Sequence, residues 1–139
     1  MKLVALVTLV TLCGCASARC QPDDEARVQL ARQVSDVSAA AESLAHEQPG
    51  LSGAAVLAEL RRDPDLAPIV RGLDGFELRV LTRGGHAIVL LCRADGSAAL
   101  LEDSACSPAV DLDELARPAR VCAFSLDPVS ACASPSPAP

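Results

Sequence analysis

Residues 76–103 read FELRVLTRGGHAIVLLCRADGSAALLED and contain three short apolar runs. The dipeptides Gly84-Gly85 and Asp95-Gly96 separate these runs, and both favour two-residue turns between antiparallel strands. The stretch therefore predicts a three-stranded antiparallel sheet. Residues 120–126 (RVCAFSL) are a candidate fourth strand.

Two tight turns would set the register of this sheet, and the register assigns each side chain to a face. One face is almost entirely apolar and is expected to pack on helices; it carries Phe76, Leu78, Val80, Ala87, Val89, Leu91, Ala98 and Leu100. The other face has an apolar centre of Leu81, Ile88, Leu90 and Leu101 inside a charged rim of Glu77, Arg79, Arg83, His86 and Asp103. Such a pattern is typical of a binding patch, unless residues 106–126 fold back and cover it.

The residues before the sheet have helical periodicity. From Asp23 onward, apolar residues recur at steps of three and four until Pro49-Gly50 ends the pattern. Ser52 is expected to cap a second helix, and Asp63-Pro64 to begin a short third one. A further short helix is predicted at 111–117. The predicted class is α+β, with N-terminal helices packed on a small antiparallel sheet of three to four strands.

The chain begins with MKLVALVTLVTL, a lysine followed by residues that are apolar or threonine. This pattern is typical of a secretory signal and is too short to remain as a membrane span. The expected organisation is a signal peptide at 1–14, a tether at 15–22, one α+β domain at 23–126 and a disordered Pro/Ser/Ala tail at 127–139.

The signal ends in Leu12-Cys13-Gly14-Cys15, which resembles the lipobox of bacterial lipoproteins. The resemblance implies that Cys15 is the lipidated residue, that cleavage occurs just before it and that its new amine is acylated. The partner would then be a membrane, reached through the lipid anchor, and Ala16 favours the periplasmic side of the outer membrane. Alternatively, Ala16-Ser17-Ala18 fits an ordinary signal peptidase, which would release a soluble periplasmic protein starting at Arg19.

Five cysteines follow Cys15, and cysteines in an oxidising envelope mostly pair. Cys106 and Cys122 bracket the predicted 111–117 helix, so they are the expected disulfide. A bond between Cys92 and Cys106 is disfavoured, because seven strand residues would separate them. An odd number leaves at least one free thiol or a bond between chains.

The net charge of −6 and the absence of Trp and Tyr argue against a nucleic-acid partner. The sequence has no Cys-x-x-Cys, no histidine pair at ligand spacing and no Gly-x-Ser-x-Gly, so we expect no catalytic residue, metal or cofactor. His86 is expected to be a solvated turn residue. The resulting hypothesis is a non-enzymatic binding or accessory module, with an envelope protein as a candidate partner. The alternatives are a periplasmic inhibitor and an envelope hydrolase with an unrecognised site.

Overall fold

The computed structural model describes residues 22–106 and 120–133. The elements, in chain order, are α1 (Pro22–Glu47), α2 (Gly53–Arg62), α3 (Ala67–Gly72), β1 (Phe76–Arg83), β2 (His86–Arg93), β3 (Ala99–Asp103) and α4 (Pro128–Cys132). The strands form one antiparallel sheet in the order β1-β2-β3. The predicted α+β class, with its helices N-terminal to the sheet, is confirmed. The predicted signal peptide and the 111–117 helix lie outside the described residues.

The helices form where local sequence favours them. Ser52 caps α2, because its Oγ accepts the N–H of Ala55 at 3.3 Å. Asp63 accepts the N–H groups of Asp65 and Leu66, which starts the turn leading into α3. The expected stripe of α1 is buried against the sheet at Ala31, Val34, Val37 and Ala41. These residues join Val56, Leu60, Val70, Leu73, Ala87, Val89 and Leu91 in the main core.

The first hairpin has the expected register. Arg83 pairs with His86 across Gly84-Gly85, and the pairing continues to Phe76 opposite Arg93. Both turn glycines have positive φ, 60° and 81°, which is the conformation that a two-residue turn of this kind requires.

The second hairpin differs from the expectation. The N–H of Gly96 donates to the carbonyl of Arg93 at 2.8 Å, so Asp95-Gly96 forms the second half of the turn rather than its centre. Cys92 still lies opposite Ala99, but a bulge then brings Leu101 opposite Leu91. One extra residue inverts the facing of every later position in the strand. Leu101 therefore belongs to the helix-facing core, and its predicted place on the mixed face is wrong.

The second face of the sheet is covered. Ile88 and Leu90 are fully buried, although both lie on the face away from the main core. Residues 120–133 run across this face: α4 packs on β1 and β2, and Cys122 is bonded to Cys92. The chain therefore does fold back over this face, through residues 120–133, of which 120–126 belong to the predicted covering residues 106–126. An open binding patch at Leu81, Ile88, Leu90 and Leu101 is contradicted.

The covering segment also corrects two predicted boundaries. Within 120–126, only Arg120 bridges to the sheet, opposite Ala99, and the following residues are bends and irregular loop, so no fourth strand forms there. Asp127 caps α4, Pro128 is buried and Cys132 is disulfide-bonded. The folded domain therefore extends into the region predicted as a disordered tail.

Candidate functional site

The disulfides are Cys92–Cys122 and Cys106–Cys132, with Cα–Cα distances of 5.7 Å and 4.9 Å. The predicted bond between Cys106 and Cys122 is wrong. Cys92 points to the covered face, where the returning segment places Cys122 beside it. Cys106 follows β3 and meets Cys132 at the end of α4. The expected pairing used proximity to the 111–117 helix, whereas the fold-back decides which cysteines meet.

Four side chains capable of binding metals converge at one end of the sheet. Glu42 comes from α1, His86 from the start of β2, Cys106 from the residues after β3 and Cys132 from the end of α4. One oxygen, nitrogen or sulfur atom of each lies within 4.8 Å of the others. We refer to these four residues as the Glu42 cluster.

The Glu42 carboxylate organises the cluster. Its Oε1 lies 2.6 Å from Nδ1 of His86, and its Oε2 accepts the N–H of Ala87 at 2.6 Å. The ladder between β2 and β3 ends at the pair of Val89 and Asp103. N–H groups alternate in direction along an antiparallel strand, so the N–H groups of Ala87 and Val89 point to the same side of β2. At Ala87, β3 no longer runs along that side. The carboxylate supplies the acceptor that a longer β3 would have provided.

The disulfide lies against the same carboxylate. Glu42 Oε1 is 3.4 Å from Sγ of Cys106 and 3.5 Å from Sγ of Cys132. These are contacts rather than donated hydrogen bonds, because a disulfide sulfur carries no proton. The Glu42 side chain is 16% exposed and that of His86 is 30% exposed, while Cys106 is exposed. Solvent therefore reaches the disulfide from outside, while the carboxylate is largely enclosed.

This arrangement was not predicted from the sequence. His86 is half-buried and paired with a carboxylate 44 residues earlier, so its reading as a solvated turn residue is wrong. The one available signal was weak: Glu42 follows Ala41 of the α1 stripe and so borders the buried face. None of the predicted binding-face residues Leu81, Ile88, Leu90 and Leu101 belongs to the cluster.

A concavity of about 500 Å³ lies between α1, α2 and the turn after α2. Its charged side chains already serve local contacts. Glu59 pairs with Arg62, Asp63 caps the following turn, and Glu47 accepts the hydroxyl of Ser43. The Glu42 cluster is therefore the stronger candidate for chemistry.

Among the residues described, no helix combines the length and the apolar character needed to cross a membrane. No family model, curated protein or solved structure matches this chain, so its own residues and their geometry carry the functional argument.

Proposed function

We propose that the chain is an exported bacterial envelope lipoprotein whose folded domain acts as a non-enzymatic binding or accessory module. The observation that carries this proposal is the pair of disulfides, which fasten residues 120–133 to the sheet and to its end. Disulfides form and persist in oxidising compartments outside the cytoplasm. This property agrees with the secretory pattern of residues 1–14.

The chemistry of the Glu42 cluster supports a non-enzymatic role. Covalent catalysis by cysteine needs a free thiolate beside a base, whereas both sulfurs next to Glu42 and His86 are bonded to each other. With that bond intact, the carboxylate and the imidazole have no thiol to activate. The cluster then serves to hold the end of the sheet, α1 and α4 together.

The proposed anchor is Cys15, at the end of the lipobox-like sequence. Each acyl methylene buried in a bilayer contributes about 0.8 kcal/mol, so several chains would hold the domain stably at a membrane. The few residues between Cys15 and α1 would keep the domain close to that surface, on the periplasmic side of the outer membrane. A module in this position would meet its partner among envelope proteins.

Expression of the full chain in a bacterium, followed by mass spectrometry of the mature N-terminus, tests the anchor. We expect an acylated Cys15 and recovery in the membrane fraction. Cys15→Ala should abolish acylation, and Cys13→Ala, two residues earlier, should retain it. An unmodified N-terminus at Arg19 would overturn the lipoprotein proposal and support the soluble periplasmic alternative.

A further inference from the structure

We propose that the Glu42 cluster binds one Zn²⁺ ion when the Cys106–Cys132 bond is reduced. The disulfide would then be the oxidised, closed form of a metal site made from Glu42, His86, Cys106 and Cys132. This inference goes beyond the proposed function and does not depend on the lipid anchor, because the described domain supplies all four ligands.

The donor set suits zinc. Zn²⁺ is bound in proteins by thiolate, imidazole and carboxylate, usually with four ligands in a tetrahedron. Reduced Cys106 and Cys132 offer two thiolates, and Glu42 and His86 offer one carboxylate and one imidazole. Two soft sulfur ligands disfavour Mg²⁺ and Ca²⁺, which prefer oxygen.

The distances already approach those of a site. Metal–ligand bonds of about 2.0–2.3 Å place the ligand atoms of a tetrahedral zinc roughly 3–4 Å apart. The four atoms of the cluster lie within 4.8 Å of one another, and the largest change required is in the two sulfurs, which must separate from a disulfide bond of about 2 Å to almost 4 Å. Glu42 Oε1 and His86 Nδ1 are 2.6 Å apart, and the ion would take the place of the proton between them.

The redox step balances with a dithiol as the reductant. The dithiol gives two electrons and two protons to the Cys106–Cys132 bond and becomes a disulfide itself. Cys106 and Cys132 become thiols, and Zn²⁺ displaces their two protons as it binds. A disulfide sulfur carries no charge, so the oxidised cluster lacks two of the four ligands.

The two disulfides differ in exposure, which makes the step selective. Cys106 is exposed and Cys132 half-buried, so a dithiol can reach their bond from solvent. Cys92 has no exposed surface, whereas its partner Cys122 is half-buried within the covering segment. Mild reduction should therefore open the metal site while the bond that holds the covering segment to the sheet stays intact.

The test uses the full chain purified in detergent, treated with a limiting dithiol that is then removed, and titrated with Zn²⁺ alone. We expect one Zn²⁺ per reduced chain and less than a tenth of that for the oxidised protein. Co²⁺ in place of Zn²⁺ should give the thiolate charge-transfer and tetrahedral d–d bands. His86→Ala and Glu42→Gln should each weaken binding at least tenfold. His46→Ala, an exposed histidine on α1, should leave binding unchanged.

Three outcomes would overturn the proposal. The first is equal zinc binding by the oxidised protein. The second is binding by the reduced protein that neither His86→Ala nor Glu42→Gln weakens, which would indicate a site of two cysteines. The third is failure of the reduced chain to bind, whether it stays folded or unfolds by circular dichroism. Acylation of Cys15 is measured separately, so failure of the metal site would leave the lipoprotein proposal intact.

Discussion

At the residue scale, the backbone of a helix packs directly on the backbone of the sheet at Gly53. A Cβ atom at this position would lie 1.8 Å from the carbonyl oxygen of Val80 in β1 and 2.5 Å from the carbonyl carbon. Both atoms are backbone, so no side-chain rotation could relieve the contact. The first turn of α2 can pack on β1 only because residue 53 has no side chain.

Gly53→Ala should destabilise the domain by about 2–3 kcal/mol, because either α2 or β1 must move. Gly75→Ala is the matched control, since a Cβ there meets nothing within 4 Å. The measurement is urea unfolding of both variants beside the native chain. Equal stability of the two variants would show that the approach of α2 to β1 is not restrictive.

Asp103 is a buried carboxyl group whose titration affects folding. It is 4% exposed at the end of β3, and burial raises its pKa, although the neighbouring Ser38 hydroxyl and the Ser104 backbone oppose the rise. The folded state thus holds the proton at pH values where the unfolded chain has lost it. Its stability therefore falls as pH rises from the ordinary value of 3.8 through the folded pKa.

Asp103→Asn should remove this loss of stability at rising pH, because an amide does not titrate. We expect the variant to melt at a higher temperature than the native chain at pH 7, with the difference shrinking as pH falls below 3.8. Asp95→Asn should instead lower the melting temperature at pH 7. Hydrogen bonds from Ser97 lower the pKa of Asp95 and favour its charged form, which the variant lacks. If Asp103→Asn raised the melting temperature by the same amount at low pH as at pH 7, the result would contradict a role for titration of Asp103.

At the element scale, the covering segment is held by a buried carboxylate. The Glu102 side chain is 1% exposed and accepts the N–H groups of Ser125 and Leu126 at 2.8 Å and 3.0 Å. It also pairs with Arg120 at 2.9 Å and accepts the hydroxyl of Ser125. One side chain of β3 therefore accepts two backbone N–H groups of residues 120–133, a segment that itself makes only one β-bridge to the sheet.

Glu102→Gln should destabilise the domain by about 2 kcal/mol or more, because the amide keeps the shape but loses the charge that four donors share. Glu59→Gln is the matched control. Glu59 also pairs with an arginine, Arg62, but on the exposed surface, where such pairs contribute about 0–1 kcal/mol. Thermal melts compare the two variants, and similar losses would mean that Glu102 does not hold the segment.

The elements also show what local sequence can and cannot predict. The cap at Ser52, the turn at Asp63 and the Gly84-Gly85 hairpin depend on neighbouring residues, and they were predictable, although α3 begins at Ala67 rather than at the predicted Asp63-Pro64. The bulge in β3 lies between Ala99 and Leu101, in a strand that also contacts α1, where Ser38 donates to the Asp103 carbonyl at 3.2 Å. A pattern read along one strand does not contain that contact, so the facing of Leu101 was predicted wrongly.

At the scale of the whole molecule, long-range closure decides the site. The Glu42 cluster joins residues from α1, β2, the end of β3 and α4, and Glu42 and Cys132 are 90 residues apart in the chain. No sequence motif with a fixed spacing predicts such a set, because the residues next to each member carry no metal-binding pattern. The fold class followed from local patterns, whereas the cluster and both cysteine pairings followed from the return of 120–133 across the sheet.

The two disulfides interleave along the chain, since Cys106 lies inside the loop closed by Cys92 and Cys122, and Cys122 lies inside the loop closed by Cys106 and Cys132. A protease that cut once anywhere in 107–119 would leave Cys92 and Cys106 on one piece and Cys122 and Cys132 on the other. The two pieces would stay joined by two covalent bonds. Neither piece would be released until both bonds had been reduced.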